Sequence, residues 1–172
     1  AFGGSQGPTL YALAPWNDGK PPESGQELEA KALLYYRELY ECVWNAPGDI
    51  NENPEPGMCD FPGYRAVDQW SGGAWVQTRN EHGILIFGRK GLGNNCYGSS
   101  SGENATCPED PCSPSQGYHA PPYQPQILFY DPLQIKSVLA GTLKPWKVLP
   151  YATYVPSGQA FDPECGVLGA AA

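Results

Sequence analysis

The sequence predicts an all-β fold of antiparallel strands, with one short helix and long disulfide-bearing loops. Composition supplies the first reason. Gly and Pro, 21 and 19 of 172 residues, mark frequent turns, while 41% hydrophobic and 12% aromatic content is too high for a disordered chain. The second reason is a set of short apolar runs bounded by turn residues, of which Ile84-Leu85-Ile86-Phe87 is the clearest. A run without polar alternation has the pattern of a strand buried on both faces. Six cysteines in polar, Pro/Gly-rich segments are the third: an even number in loops predicts disulfides and an oxidising, extracellular setting.

Taken in order, Thr9–Ala14 reads as a strand ended by Pro15-Trp16-Asn17-Asp18-Gly19. The segment Glu27–Tyr40 satisfies two patterns. Its Glu, Ala, Leu and Lys content favours a helix, whereas Leu33-Leu34-Tyr35-Tyr36 equally suits a buried strand. Asn45–Gly63 is an acidic, Pro-rich loop bracketed by Cys42 and Cys59; a Cys42–Cys59 bond closing it would contribute about 3 kcal/mol in the chain-entropy model. Gly72–Gln77 and Gly83–Arg89 form two strands around the polar turn Thr78–Glu81, which places His82 at an exposed hairpin turn. Gly91–Asn95 interrupts the pattern, and a long loop follows before Gln126–Tyr130 resumes it. A loop of that length inside a compact domain is functional or covalently pinned. Leu133–Ala140 is a short helix with Asp131 as its cap, Pro132 at its first position and Gly141 past its end. Val148–Val155 is a last strand, confined to an edge or a bulge by Pro150.

Charge excludes some functions. A net −8, with ten Lys+Arg, does not suit nucleic acid or an anionic membrane surface. No apolar run has the length of a membrane span. Ala1-Phe2-Gly3-Gly4-Ser5 is not a signal peptide, so any leader is expected to have been removed or to precede this sequence.

Motifs for chemistry are sparse. No nucleophile elbow, zincin helix or nucleotide loop is present, and Gly91-Leu92-Gly93-Asn94-Asn95 follows a strand without opening a helix, so it reads as a turn. His119, in the aromatic, Pro-stiffened loop Gly117–Tyr123, is a candidate metal ligand or general base, with a structural pin as the alternative. Asp68, Glu81, Glu109 and Asp110 are candidates for a glycosidase-type carboxylate pair, and His119, Asp68 and Asp110 form the candidate catalytic set. Cys107 and Cys112 with His119 match a zinc site only loosely. Asp49, Asn51, Asn53 and Asp60 carry the oxygen donors calcium prefers, without EF-hand spacing, and calcium is the sole cofactor expectation. Asn104-Ala105-Thr106 is a glycosylation sequon. Aromatic residues near turns, namely Trp75, Tyr97, Tyr118 and Tyr123, join His119 as a candidate binding set for sugar rings or a protein partner.

The segments Gly7–Pro22, Trp70–Val76, Ile84–Gly98, Gly117–Pro132 and Ala140–Thr153 resemble the C-terminal part of a family of uncharacterised secreted bacterial proteins. That resemblance implies antiparallel four-stranded propeller-like blades. Residues 7–40 would form the outer part of one blade, 41–65 an acidic insertion, 66–156 a full blade carrying loop 91–123, and 157–172 the start of the next element. The chain would then be one domain or a fragment completed by other segments or copies of the protein. The resemblance also implies a Cys96–Cys112 bond. It gives no partner to Cys107 and Cys165; Cys107–Cys165 is the third expected bond, with fifteen connectivities open to six cysteines. The resulting expectation is a secreted binding or scaffold protein recognising its ligand through loop 91–123. A polysaccharide-acting hydrolase or lyase using His119 and a structural subunit of an extracellular assembly are the alternatives, and the sequence does not decide whether the protein is an enzyme.

Overall fold

A computed structural model describes residues 7–14, 19–36, 64, 67–94, 96–113, 115–157 and 165. The described chain is mostly antiparallel β-sheet with one short helix. Strands β1 (Leu10–Leu13) and β2 (Ala30–Leu34) form a two-stranded sheet. Strands β3 (Gln69–Gln77) and β4 (His82–Gly91) continue the chain, followed by the short β5 (Cys96–Gly98) and β6 (Gly117–His119), which pair only with each other. Strand β7 (Tyr123–Tyr130), helix α1 (Pro132–Leu139), a 3-10 turn at Pro145–Lys147 and β8 (Ala152–Tyr154) complete it. The main sheet has four strands in the order β3-β4-β7-β8, an antiparallel meander of the four strands expected from the sequence.

Local chemistry explains most of these elements. The β3–β4 turn is closed by the Thr78 N–H donating to the Glu81 carbonyl at 2.8 Å and by the Glu81 N–H donating to Thr78 Oγ1 at 3.0 Å. His82 opens β4 rather than sitting in the turn; it is exposed, and its ring stacks on Trp75 at 6.2 Å. The Asp131 carboxylate accepts from the Leu133 N–H at 2.8 Å and caps α1, and Gly141 takes a positive φ just beyond the helix. The final strand is shorter than expected. Pro150 offers no N–H, so pairing begins only when the Tyr151 N–H donates to the Phe129 carbonyl at 2.9 Å.

In the ambiguous segment Glu27–Tyr40, the described part is strand β2, and packing overrides helix propensity there. Leu33, Leu34 and Tyr36 are buried against Ile84, Ile86, Leu128 and Tyr130 of the sheet and Ile135 and Val138 of α1. Within this core the Tyr36 hydroxyl donates to the Val148 carbonyl at 2.5 Å and accepts from the Tyr130 hydroxyl at 3.0 Å, and Tyr64 and Tyr130 share a hydrogen bond of 2.6 Å. Burial pushes all three phenols above the ordinary tyrosine value, Tyr36 and Tyr130 furthest. The core therefore lies on one face of the sheet, and loop 91–123 leaves from the end of β4.

Candidate functional site

Loop 91–123 is built around the β5–β6 ribbon. Directly opposed residues of an antiparallel pair share a face. Tyr97 lies opposite Tyr118, while Cys96 lies opposite His119. Alternation therefore presents the two tyrosines on one side and the histidine on the other. Tyr97 is 56% exposed and its ring centroid is 4.8 Å from that of Tyr118, whereas His119 is fully buried.

The buried side is a continuous polar network. The Asp110 carboxylate accepts from the Tyr123 hydroxyl at 2.5 Å, from His119 Nδ1 at 2.9 Å and from the Cys112 N–H at 3.0 Å. His119 Nε2 lies 3.0 Å from the Gly98 carbonyl. A carbonyl only accepts, so Nε2 carries hydrogen and donates. Both ring nitrogens are thereby occupied. Arg89 completes the network, with its guanidinium 4.3 Å from the Tyr123 ring centroid and Nη1 donating to the Cys165 carbonyl at 3.2 Å. Burial by itself would raise the Asp110 carboxyl, but hydrogen bonds from Tyr123, His119 and the Cys112 amide outweigh it and hold the group below its ordinary range. For Tyr123, burial and the hydrogen bond to Asp110 push the phenol up to about 12.

Backbone proximity shapes the loop. A Cβ on Gly93 would stand 2.0 Å from the Pro121 carbonyl oxygen, and one on Gly98 would stand 2.0 Å from Thr106 Oγ1. Only glycine permits these approaches. The Gly93 N–H donates to the Ala120 carbonyl at 3.0 Å, which commits it to the turn rather than to an anion.

The disulfides differ from the expected Cys96–Cys112 and Cys107–Cys165 pairs. The bonds are Cys96–Cys107 and Cys112–Cys165. The reason is local: the Thr106 and Cys107 N–H groups both donate to the Ser99 carbonyl, at 2.9 and 3.0 Å, and fold Cys107 back onto Cys96. Cys112, anchored through its amide to Asp110, is left to hold Cys165. Both thiol pairs are oxidised, so Cys107 and Cys112 are not zinc ligands. These bonds fit an oxidising compartment. No described helix is long and apolar enough to cross a membrane.

The remaining candidates are dispersed. Asp68 pairs with Lys90 at 3.0 Å and accepts from the Gly91 N–H at 3.0 Å. Glu81 lies in the β3–β4 turn, and Glu109 is exposed beside Asp110. Tyr123 is buried within the network. Trp75 is exposed opposite Ile84, about 20 Å along β4 from Gly91 at ~3.3 Å per residue. The expected calcium donors Asp49, Asn51, Asn53 and Asp60, and the Cys42–Cys59 pair, lie outside the described residues. Among the described residues no cluster of His, Cys, Asp and Glu has a metal-site arrangement. Arg89 was missed by sequence reasoning, although a lone arginine following an apolar strand run was a usable signal for a buried cation. No protein family, curated protein or solved structure matches the chain.

Proposed function

We propose that this is an exported, propeller-like binding or scaffold protein whose recognition surface is loop 91–123, centred on the Tyr97–Tyr118 pair. The observation that carries this reading is the two-sided ribbon. Two tyrosine rings 4.8 Å apart stand on one side, and a fully hydrogen-bonded, buried His119–Asp110 pair holds them from the other. The Cys96–Cys107 bond fixes the ribbon's outer turn. Rigid aromatic rings present contact area at low entropic cost, and their faces suit the apolar faces of sugar rings. A neutral carbohydrate is the ligand class we favour, because the chain's net charge of −8 disfavours anionic polymers.

This arrangement supports binding over hydrolysis. A general base needs a ring nitrogen within reach of the substrate, and both nitrogens of His119 are occupied inside the protein. Asp68 and Asp110 are likewise committed to internal partners. The test is affinity electrophoresis against a panel of neutral polysaccharides, with Tyr97→Ala, Tyr118→Ala and Trp75→Ala variants. Loss of either ribbon tyrosine is expected to weaken binding by about 10-fold or more, the effect of removing a central aromatic contact. Trp75→Ala, far along the sheet, leaves it unchanged. Retention of no polysaccharide, or equal binding by the ribbon variants, would sink the reading.

A further inference from the structure

Arg89 is a cation enclosed without a counter-charge against it. It is 6% exposed, and among the described residues it forms no ion pair. Its one hydrogen bond there runs from Nη1 to the Cys165 carbonyl at 3.2 Å, and its Nε is buried with no protein partner. The guanidinium lies 4.3 Å over the Tyr123 ring. The carboxylates of this region are engaged elsewhere. Asp110 accepts from Tyr123, His119 and the Cys112 amide, and Asp68 holds Lys90 at 3.0 Å and the Gly91 amide. A tyrosine ring attracts a cation but does not neutralise it, and a buried N–H left unpaired is costly. An unsatisfied buried group of this kind is a place where a bound water or ion is expected.

We propose that the Nε–Nη2 edge of Arg89 binds one small oxyanion, a carboxylate or a phosphate group. Geometry selects the shape of the ligand. The Nε–H and one Nη2–H of a guanidinium project side by side, at a spacing that matches two oxygens of a single carboxylate or phosphate. Nη1, on the other edge, is held by the Cys165 carbonyl, and Cys165 is bonded to Cys112. With Tyr123 against the ring plane, the fork is oriented before a ligand arrives. Charge selects an anion over water, because a water satisfies Nε but leaves the guanidinium unneutralised. Gln69 stands directly across from Arg89 on the edge strand β3 and is exposed. It gives an approach from the sheet edge and places a neutral amide on the cation's face. A single small anion is compatible with a net charge of −8, since in enclosed surroundings the near charge outweighs distant ones. This inference is independent of what the ribbon tyrosines bind.

The experiment is thermal unfolding of the full chain in sodium acetate, in sodium phosphate and in sodium chloride, at matched neutral pH and ionic strength. Ligands this small belong to the millimolar class. At about 20 mM, acetate or phosphate should raise the melting temperature by about 3–7 °C over chloride, by mass action on the folded state. A larger rise with acetate identifies a carboxylate ligand, and a larger rise with phosphate identifies a phosphate one. Arg89→Lys keeps the cation but loses the fork, and should abolish the rise. Arg79→Lys, in the exposed β3–β4 turn, should retain it. In the wild type the Arg89 Nε–H resonance should move to saturation with the same anion, a readout that stands even where Arg89→Lys fails to fold. A melting temperature indifferent to both oxyanions overturns the proposal: water or a carboxylate of the chain itself then satisfies the edge. A rise that survives Arg89→Lys, or one that leaves the Arg89 resonance unmoved, overturns it equally.

Discussion

Replacing Asp110 by Ala should be among the more damaging single substitutions in this protein. The carboxylate is 1% exposed and accepts from the Tyr123 hydroxyl, the His119 ring and the Cys112 amide. Alanine leaves two buried donors and the part-buried Cys112 amide without their acceptor, each costing about 1–3 kcal/mol if unsatisfied, and we take about 3–5 kcal/mol as the expected loss. For a chain of this size the melting temperature should fall by roughly 6–20 °C, at about 2–4 °C per kcal/mol. Thermal and urea unfolding under non-reducing conditions measure it. Because Asp110 and His119 act as a unit, His119→Ala added to Asp110→Ala should cost less than the sum of the single losses, by about 1–3 kcal/mol. The pH dependence has a defined sign. A carboxyl held below its unfolded value of about 3.9 stabilises the fold above that pH, and the stabilisation is lost as pH falls through the folded value. The gap between wild type and Asp110→Ala should therefore be full at neutral pH and shrink below about pH 4. A loss under about 1 kcal/mol at neutral pH would refute the reasoning, since it would mean that water replaces the carboxylate.

Three further outcomes follow from the geometry. Tyr36, Tyr64, Tyr123 and Tyr130 all have raised phenol groups, so stability is present below the ordinary tyrosine value of about 10 and is lost as pH rises through the folded values. Ultraviolet titration of the folded protein at pH ~11 should leave Tyr36, Tyr123 and Tyr130 un-ionised until it unfolds, and eleven tyrosines titrating together near ~10 would contradict the buried cluster. Gly98→Ala should cost about 1–3 kcal/mol in thermal unfolding, because the new Cβ meets Thr106 Oγ1 at 2.0 Å, and adding Thr106→Ala should recover part of that loss. Non-reducing peptide mapping should recover Cys96–Cys107 and Cys112–Cys165; of the two, removal of Cys112–Cys165 should destabilise more, by about 4 kcal/mol against about 3, since it closes 53 residues rather than 11.

What was legible in the sequence was whatever depends on neighbours along the chain. Ile84–Phe87 and Gln126–Tyr130 declare strands because an apolar run between turn residues has few other solutions. Asp131, Pro132 and Gly141 mark the helix by capping chemistry that acts within a turn. Leu33 and Leu34 needed the opposite sheet to decide between helix and strand, since both patterns were satisfied locally. The disulfides failed for the same reason, in a sharper form. Whether Cys96 meets Cys107 or Cys112 is set by the Ser99 carbonyl turning two amides back on the ribbon, and cysteine spacing carries none of that.

The candidate site shows the same division. His119, Asp110, Tyr97 and Tyr118 were all identifiable as unusual residues in a long loop, but not their roles, because alternation along β6 sends Tyr118 and His119 to opposite sides. Once the ribbon forms, His119 and Asp110 are enclosed, Tyr118 is half-buried against Val67, Ala120 and Tyr123, and Tyr97 is left exposed. That enclosure is what supports the binding reading we propose for the loop, in which its polar groups hold the aromatic rings in place and the ligand is one that such rings can grip.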